Sequence, residues 1–183
     1  MATPTPSVIP QQPNNSVITD STGRMSTPWT LFFNNLVNTV KLHAASILSL
    51  QQNVAFSAYQ SVAQSLTAAV VTKVNFQTKE FDLTSAFDTT SMRFTPKVAG
   101  YYSITGNVYV GSPASGLIYL YKNGAVYKYG EYTPSENIST LSCLVYFNGT
   151  TDYLELWVYS SIANTIQTGI PASCFQGVLV ARA

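Results

Sequence analysis

"YYSITGNVYV", Tyr101–Val110, decides the fold. Tyr102, Ile104, Gly106, Val108 and Val110 fall on one face, and Tyr101, Ser103, Thr105, Asn107 and Tyr109 on the other. That two-residue period is the mark of a strand with one side against a core. The same grammar continues downstream. "IYLYKNGAVYKYG" (Ile118–Gly130) reads as a hairpin, because Asn123-Gly124 supplies the two positive-φ positions of a tight turn. "STLSCLVYF" (Ser139–Phe147) and "DYLELWVYSS" (Asp152–Ser161) flank a second turn, "NGTT", and "CFQGVLVARA" (Cys174–Ala183) closes the chain as a strand. From residue 54 onward the pattern predicts eight to ten short strands in a mainly β sandwich or jelly roll.

The second faces carry information of their own. Leu154, Leu156 and Val158 suit a core, yet the opposite side holds Tyr153, Glu155, Trp157 and Tyr159, and the hairpin adds Tyr119 and Tyr121. A monomeric sandwich places charge there. Aromatic outer faces point to sheets that pack against further copies.

Upstream the period changes. Ser26 or Thr27 can cap a helix whose first turn takes Pro28. Beyond it, Phe33, Val40, Ile47 and Val54 form one seven-residue row, and Trp29, Leu36, His43 and Leu50 another, the a and d rows of about three heptads. Asn34, Asn35, Asn38, Lys41 and Ser49 take the far side. A helix packed on the β domain would read similarly; the strict repeat, and the lack of a second helix to pack on, favour a self-associating coil over 28–53. The rows alone leave the number of strands open. His43, at d, reads as a polar residue that sets register, with a pH switch or metal site on the oligomer axis as the alternative. Residues 1–27 hold Pro4, Pro6, Pro10 and Pro13 among Thr, Ser, Gln and Asn, and read as an extended or disordered arm. Its apolar entry is Val17 and Ile18. Leu31 and Phe32 fall off the coil seam, so these four are the candidate anchor to a partner.

Composition bounds the function. Only 9% of the 183 residues are charged, where a soluble domain has about 25%. Net charge is +1, which leaves no electrostatic footprint for nucleic acid or an acidic membrane. No run approaches the ~18 apolar residues of a membrane helix, and the start lacks the basic and apolar stretches of a secretory signal, so a soluble chain is expected. Cys143 and Cys174 read as two buried thiols or one disulfide; with a single histidine and no paired-cysteine motif, no structural zinc is expected. No cofactor is expected, and no enzyme. A serine triad needs a histidine near its nucleophile, and the only one lies in the coil. Glu131, Glu136, Asp152 and Glu155 read as single solvated carboxylates rather than a glycosidase pair.

The landmarks match a family. "AFSAY" (Ala55–Tyr59), "VNF" (Val74–Phe76), "FDTTSMRFTPKVAGYYSI" (Phe87–Ile104), "IYLYKNG" (Ile118–Gly124) and "FQGVLVA" (Phe175–Ala181) resemble, in order, the globular heads of complement component q and their tumour-necrosis-factor-like relatives. Relatives have a Gly where this chain has Ser91-Met92-Arg93, and Gly-Asp where it has Gly149-Thr150-Thr151-Asp152, so no calcium site is carried over. The resemblance implies a ten-strand jelly roll in tight homotrimers, hence three strands in the coil. "VITDSTGRMSTPWTLFFNNL" (Val17–Leu36) is similar to the particle-bound end of many tailed-bacteriophage virion proteins. Together the resemblances imply a homotrimeric virion protein: an anchoring arm (1–27) held by another virion protein, a coil (28–53), and a jelly roll (54–183) that binds a host-surface glycan or protein. A tail fibre or spike is the first reading; a head fibre or capsid decoration protein, and a secreted complement-head-type trimer, are the rivals. With strands alternating in direction, the far loops would be 111–116, 132–138 and 160–172, and Tyr132, Glu136, Asn137 and Asn164 the candidate receptor contacts.

Overall fold

The computed structural model describes residues 10–13, 17–50 and 53–183. What was expected of residues 1–9 and 14–16, and of the side chains of Ser49 and Leu50, lies outside the described residues. The chain falls into two compact units, Met1–Gln52 and Asn53–Ala183.

In the first unit, helix α1 spans Thr27–Leu50. Ser26 is its N-cap: the carbonyl accepts the Thr30 N–H at 3.0 Å, the first helical bond. The Ser26 hydroxyl turns back to Val17 O at 2.5 Å, its N–H donates to Ile18 O, and Thr19 bridges Met25. Between them the Asp20 carboxylate accepts the N–H groups of Thr22 and Arg24 and the Thr22 hydroxyl. Those bonds hold the Asp20 carboxyl below its usual range, the Thr22 hydroxyl contributing most. Residues 17–26 are thus a closed turn tied to the start of the helix, because an aspartate can satisfy several turn N–H groups at once. Among the described residues there is one helix, so the coil is a matter between chains.

The second unit is built on two long strands. β1 (Ala55–Tyr59), β2 (Gln64–Leu66), β3 (Thr72–Lys73), β4 (Thr78–Asp82), β5 (Phe87–Asp88) and β6 (Arg93–Phe94) are short. β7 (Gly100–Lys122) and β8 (Ala125–Phe147) each run 23 residues, followed by β9 (Leu154–Ser160), β10 (Asn164–Ile166) and β11 (Cys174–Arg182). β7 pairs with β11 through its first half (Gly100–Asn107) and with β9 through its second (Gly116–Lys122), while β8 follows it along both. Each long strand therefore belongs to two sheets. Sheet one runs β4-β1-β11-β7-β8; sheet two runs β8-β7-β9, with β3 and β6 against β9 and β5 against β6. The register of β7 and β8 shifts between Tyr109 and Ala114 and again before Gly116, where the hairpin crosses from one sheet to the other. Hence 111–116 and 132–138, expected as loops, are bends within continuous strands. Eleven strands form instead of eight to ten short ones, and the fold is the expected mainly β jelly roll.

The core fills the space between the sheets. Phe56 lies against Phe94 (ring centroids 4.1 Å), Phe87 (5.2 Å) and Phe175 (5.1 Å), and all are buried with Ile104, Ile118, Leu120 and Leu156. Burying side chains of this size contributes about 1.5–3 kcal/mol each. The alternation that opened the sequence is realised: Tyr102, Ile104, Val108 and Val110 point in. Val54, read as the last layer of the coil, lies beyond α1 and in this core, its carbonyl accepting the Leu179 N–H at 2.8 Å. Asn123 (φ 55°) and Gly124 (φ 84°) form the expected tight turn. Met92 stands at φ 54°, the left-handed region that a glycine enters without strain and a larger side chain rarely adopts.

Candidate functional site

Two outer faces and one tip of the β unit offer themselves for contact. On sheet one the register sets rows across the strands: Ala55–Val178–Ser103–Leu144, then Ser57–Gln176–Thr105–Ser142. The first row is flanked by Val180 and by Tyr101 opposite Tyr146, whose rings lie 5.4 Å apart. Val180 is 61% exposed and Leu144 58%. The apolar patch thus lies toward one end, and hydrogen-bonding side chains take over beyond it; Gln176 donates to the Ser57 hydroxyl, which donates to Glu80. A groove of about 350 Å³ lined by Phe81, Ser103, Thr105 and Val178 continues the patch. The apolar end is where the β unit begins and finishes: Leu179 meets Val54, Ala183 meets Ala99, and Lys97 reaches Thr150 in the turn after β8. The Asn123 amide binds Asp152 there, so both tight turns share that end.

Strand β8 is the outer strand of both sheets, and two of its carbonyls are taken by lysines: Lys122 Nζ donates to Tyr146 O (2.7 Å) and Lys128 Nζ to Leu144 O (2.8 Å).

Sheet two presents rings. Tyr119 stands between Tyr129 and Trp157 in register, and Tyr121 is stacked on Trp157 at 4.8 Å. Tyr119 and Tyr129 meet edge-on at 5.4 Å. Burial, with its tyrosine neighbours, pushes the Tyr119 hydroxyl up. Beneath them Glu155, 3% exposed, accepts Lys73 Nζ (2.6 Å), Arg93 Nε (2.7 Å) and Trp157 Nε1 (3.2 Å). Burial pushes the Glu155 carboxyl up, but the bonds from Lys73 and Arg93 outweigh it and the pKa falls below the ordinary glutamate value. Asp152 is likewise lowered: burial opposes, while Asn123, Lys122 (2.9 Å) and the Asn148 N–H prevail. The reading of Asp152 and Glu155 as solvated loop carboxylates is corrected, since both are buried partners of cations. Nothing local in the sequence announces Glu155's partners, which come from β3 and β6.

At the opposite tip the four expected receptor contacts separate. Tyr132 lies opposite Leu117 on sheet two, 60% exposed. Glu136 is exposed in the bend opposite Ala114. The amides of Asn137 and Asn164 work internally: Asn137 Nδ2 donates to Val110 O (2.9 Å), and Asn164 exchanges two bonds with the Ser112 backbone (3.1 and 2.8 Å). In the helical unit Trp29 is already buried at 9%, with Phe32 and Phe33 rings 5.7 and 5.8 Å away. Phe32, read as left over for a partner, therefore belongs to this ring cluster. Val17, Ile18 and Leu31 are exposed, as are Phe33, Val40 and Ile47 along the row expected at the coil seam; Leu36 is half-buried and His43 exposed. Sequence reasoning missed Val178, Val180 and Leu144, although "VLV" and "CLV" are apolar on both sides of a strand and carried the signal.

Cys143 faces Ile104 and packs on the core, while Cys174 faces Asn107 on the outer side. The two thiols are unbonded and point to opposite faces; burial pushes both up. Among the described residues no group of three or more His, Cys, Asp or Glu could hold a metal, and no helix is long and apolar enough to cross a membrane.

The β unit has the fold of the complement-q and tumour-necrosis-factor heads. The globular domain of zebrafish complement 1qA matches with a TM-score of 0.54 at 14% identity, over 72% of this chain and all of that one. Eiger TNF from S. frugiperda matches at 0.57 and 10%, covering 72% of this chain and 94% of its own. Murine APRIL matches at 0.55 and 10%, over 70% of this chain and all of its own. No family model and no curated protein sequence matches the chain. At such identities the likeness is one of fold.

Proposed function

We propose that this chain is a homotrimeric display protein of a tailed-phage particle, attached through its N-terminal unit and presenting the jelly roll to a host surface. The observation that carries the self-association is the outer face of sheet one, where the exposed Val178, Val180, Leu144, Tyr101 and Tyr146 gather at one end. Large apolar patches left in water mark an interface. The exposed Phe33, Val40 and Ile47 row on α1 supports the same reading, since three copies would bury it as a coil. Three as the number is supported by the fold and the family resemblance. The virion assignment rests on the similarity of Val17–Leu36 to phage particle-bound segments, and Val17, Ile18 and Leu31 remain the side chains offered to a partner there.

No catalysis is proposed. The buried carboxylates are spent on cations, and the jelly roll acts by binding. Light scattering on the purified full chain tests the assembly: a mass three times that of the chain is expected, and a monomer mass removes the proposal. Antibody labelling of particles by electron microscopy tests the location, with signal on tail or head expected and unlabelled particles overturning the virion reading.

A further inference from the structure

We infer that the outer face of sheet two is a binding platform for a neutral glycan, centred on Tyr121, Trp157 and Tyr159; this rests on the display reading and names its ligand class. The two faces differ in chemistry. Sheet one offers the exposed Val178, Val180 and Leu144 beside a single tyrosine pair, Tyr101 and Tyr146, which suits a second protein surface. Sheet two offers the rings of Tyr119, Tyr121, Tyr129 and Tyr159, each carrying a hydroxyl, and of Trp157, whose indole N–H is held by Glu155. A sugar has the matching character, with apolar C–H faces that lie on a ring and hydroxyls around the rim that need donors and acceptors.

Charge selects the same ligand. Around Trp157 the charged groups are Lys73 and Arg93, answered by Glu155, with Asp88 opposite Arg93 in register, and β8 adds Lys128, turned to Leu144 O, and the exposed Glu131. Arg93 also lies over Tyr153, 4.1 Å from the ring centre. Three cations match three carboxylates, so the platform has no large surplus field to select an acidic or a basic ligand, which favours a neutral one.

The rings are also preset. Trp157 is fixed by its Nε1 bond to Glu155 and by the Tyr121 stack, and Tyr119 by Tyr129. Trp157, Tyr121 and Tyr159 are half-buried, so each loses little rotamer freedom when a ligand settles. Glu155 is a positioning residue here, holding Trp157 without touching the ligand.

The test is binding of the full-length protein to immobilised neutral oligosaccharides of glucose, galactose, mannose and N-acetylglucosamine, beside sialylated and sulfated ones, followed by calorimetry on the best binder. A neutral glycan is expected to bind, Trp157→Ala to weaken it at least tenfold, and Tyr159→Ala severalfold, the second variant serving should the first fail to fold. Both must keep the parent's mass in light scattering. Binding only to charged glycans, no binding at all, or unchanged affinity in both variants overturns the inference. So does a drop in mass in Tyr159→Ala with its fold intact, which would give this face to a second copy. Glycan binding by a protein absent from particles would remove the virion reading alone.

Discussion

The outer faces of the two sheets share a backbone and differ in what they leave unsatisfied. On sheet one Val178, Val180 and Leu144 stand exposed with no polar atom to offer, so only another apolar surface can answer them. On sheet two Tyr119, Tyr121, Trp157 and Tyr159 are half-buried over an ion cluster, with Tyr129 exposed beside them, and the tyrosines carry hydroxyls that a polar ligand can use. The difference teaches that an aromatic second face is not one signal. Aliphatic exposure calls for a copy, whereas ordered tyrosines suit a smaller, hydrated ligand.

That contrast can be broken by charge. Val178→Asp together with Leu144→Asp should convert a trimer to monomers in light scattering while leaving the β circular dichroism in place; an unchanged mass would show that sheet one is not the contact. Next in size, Glu155→Gln leaves Lys73 and Arg93 without their carboxylate under the rings of sheet two. A loss of about 3 kcal/mol in denaturant unfolding is expected. The same cluster has a pH signature. Because the folded Glu155 pKa lies below its ordinary value, its stabilisation is complete above the usual glutamate range and fades as pH falls through that range toward the folded value. Melting followed down this window should drop more steeply in the parent than in Glu155→Gln, and parallel curves would sink the assignment. Gly124→Ala forces a side chain into φ 84° at the end where the sheet-one patch lies, and should cost about 1 kcal/mol with the mass unaltered. Smallest of all, a reductant should leave the melting temperature where it was, since Cys143 and Cys174 are unbonded.

Much of the fold was legible because its signals are local. The alternation in Tyr101–Val110 and the Asn123-Gly124 turn follow from φ preferences and side-chain period, and both stand in the structure. The loops at 111–116 and 132–138 were misjudged for a physical reason. Gly, Pro and Ser there mark a register shift in a continuing hairpin as readily as a break, and the choice depends on pairing between distant strands. Trp29 and Phe32 were assigned to different duties by heptad counting, yet ring packing joins them. Asn137 and Asn164 looked available for contact, and the bend they stabilise had already taken their amides.

By itself the sequence determined the strand periods, the tight turns, a helix start at Ser26 or Thr27 and the shortage of charge, because each depends on composition or on residues within a few positions of one another. Only the tertiary structure decided which outer face is aliphatic and which is a tyrosine platform. Only it seated Glu155 among Lys73, Arg93 and Trp157, and folded one long hairpin across both sheets. Those outcomes rest on side chains far apart in the chain, brought to one place by the register of β7 with β9 and β11.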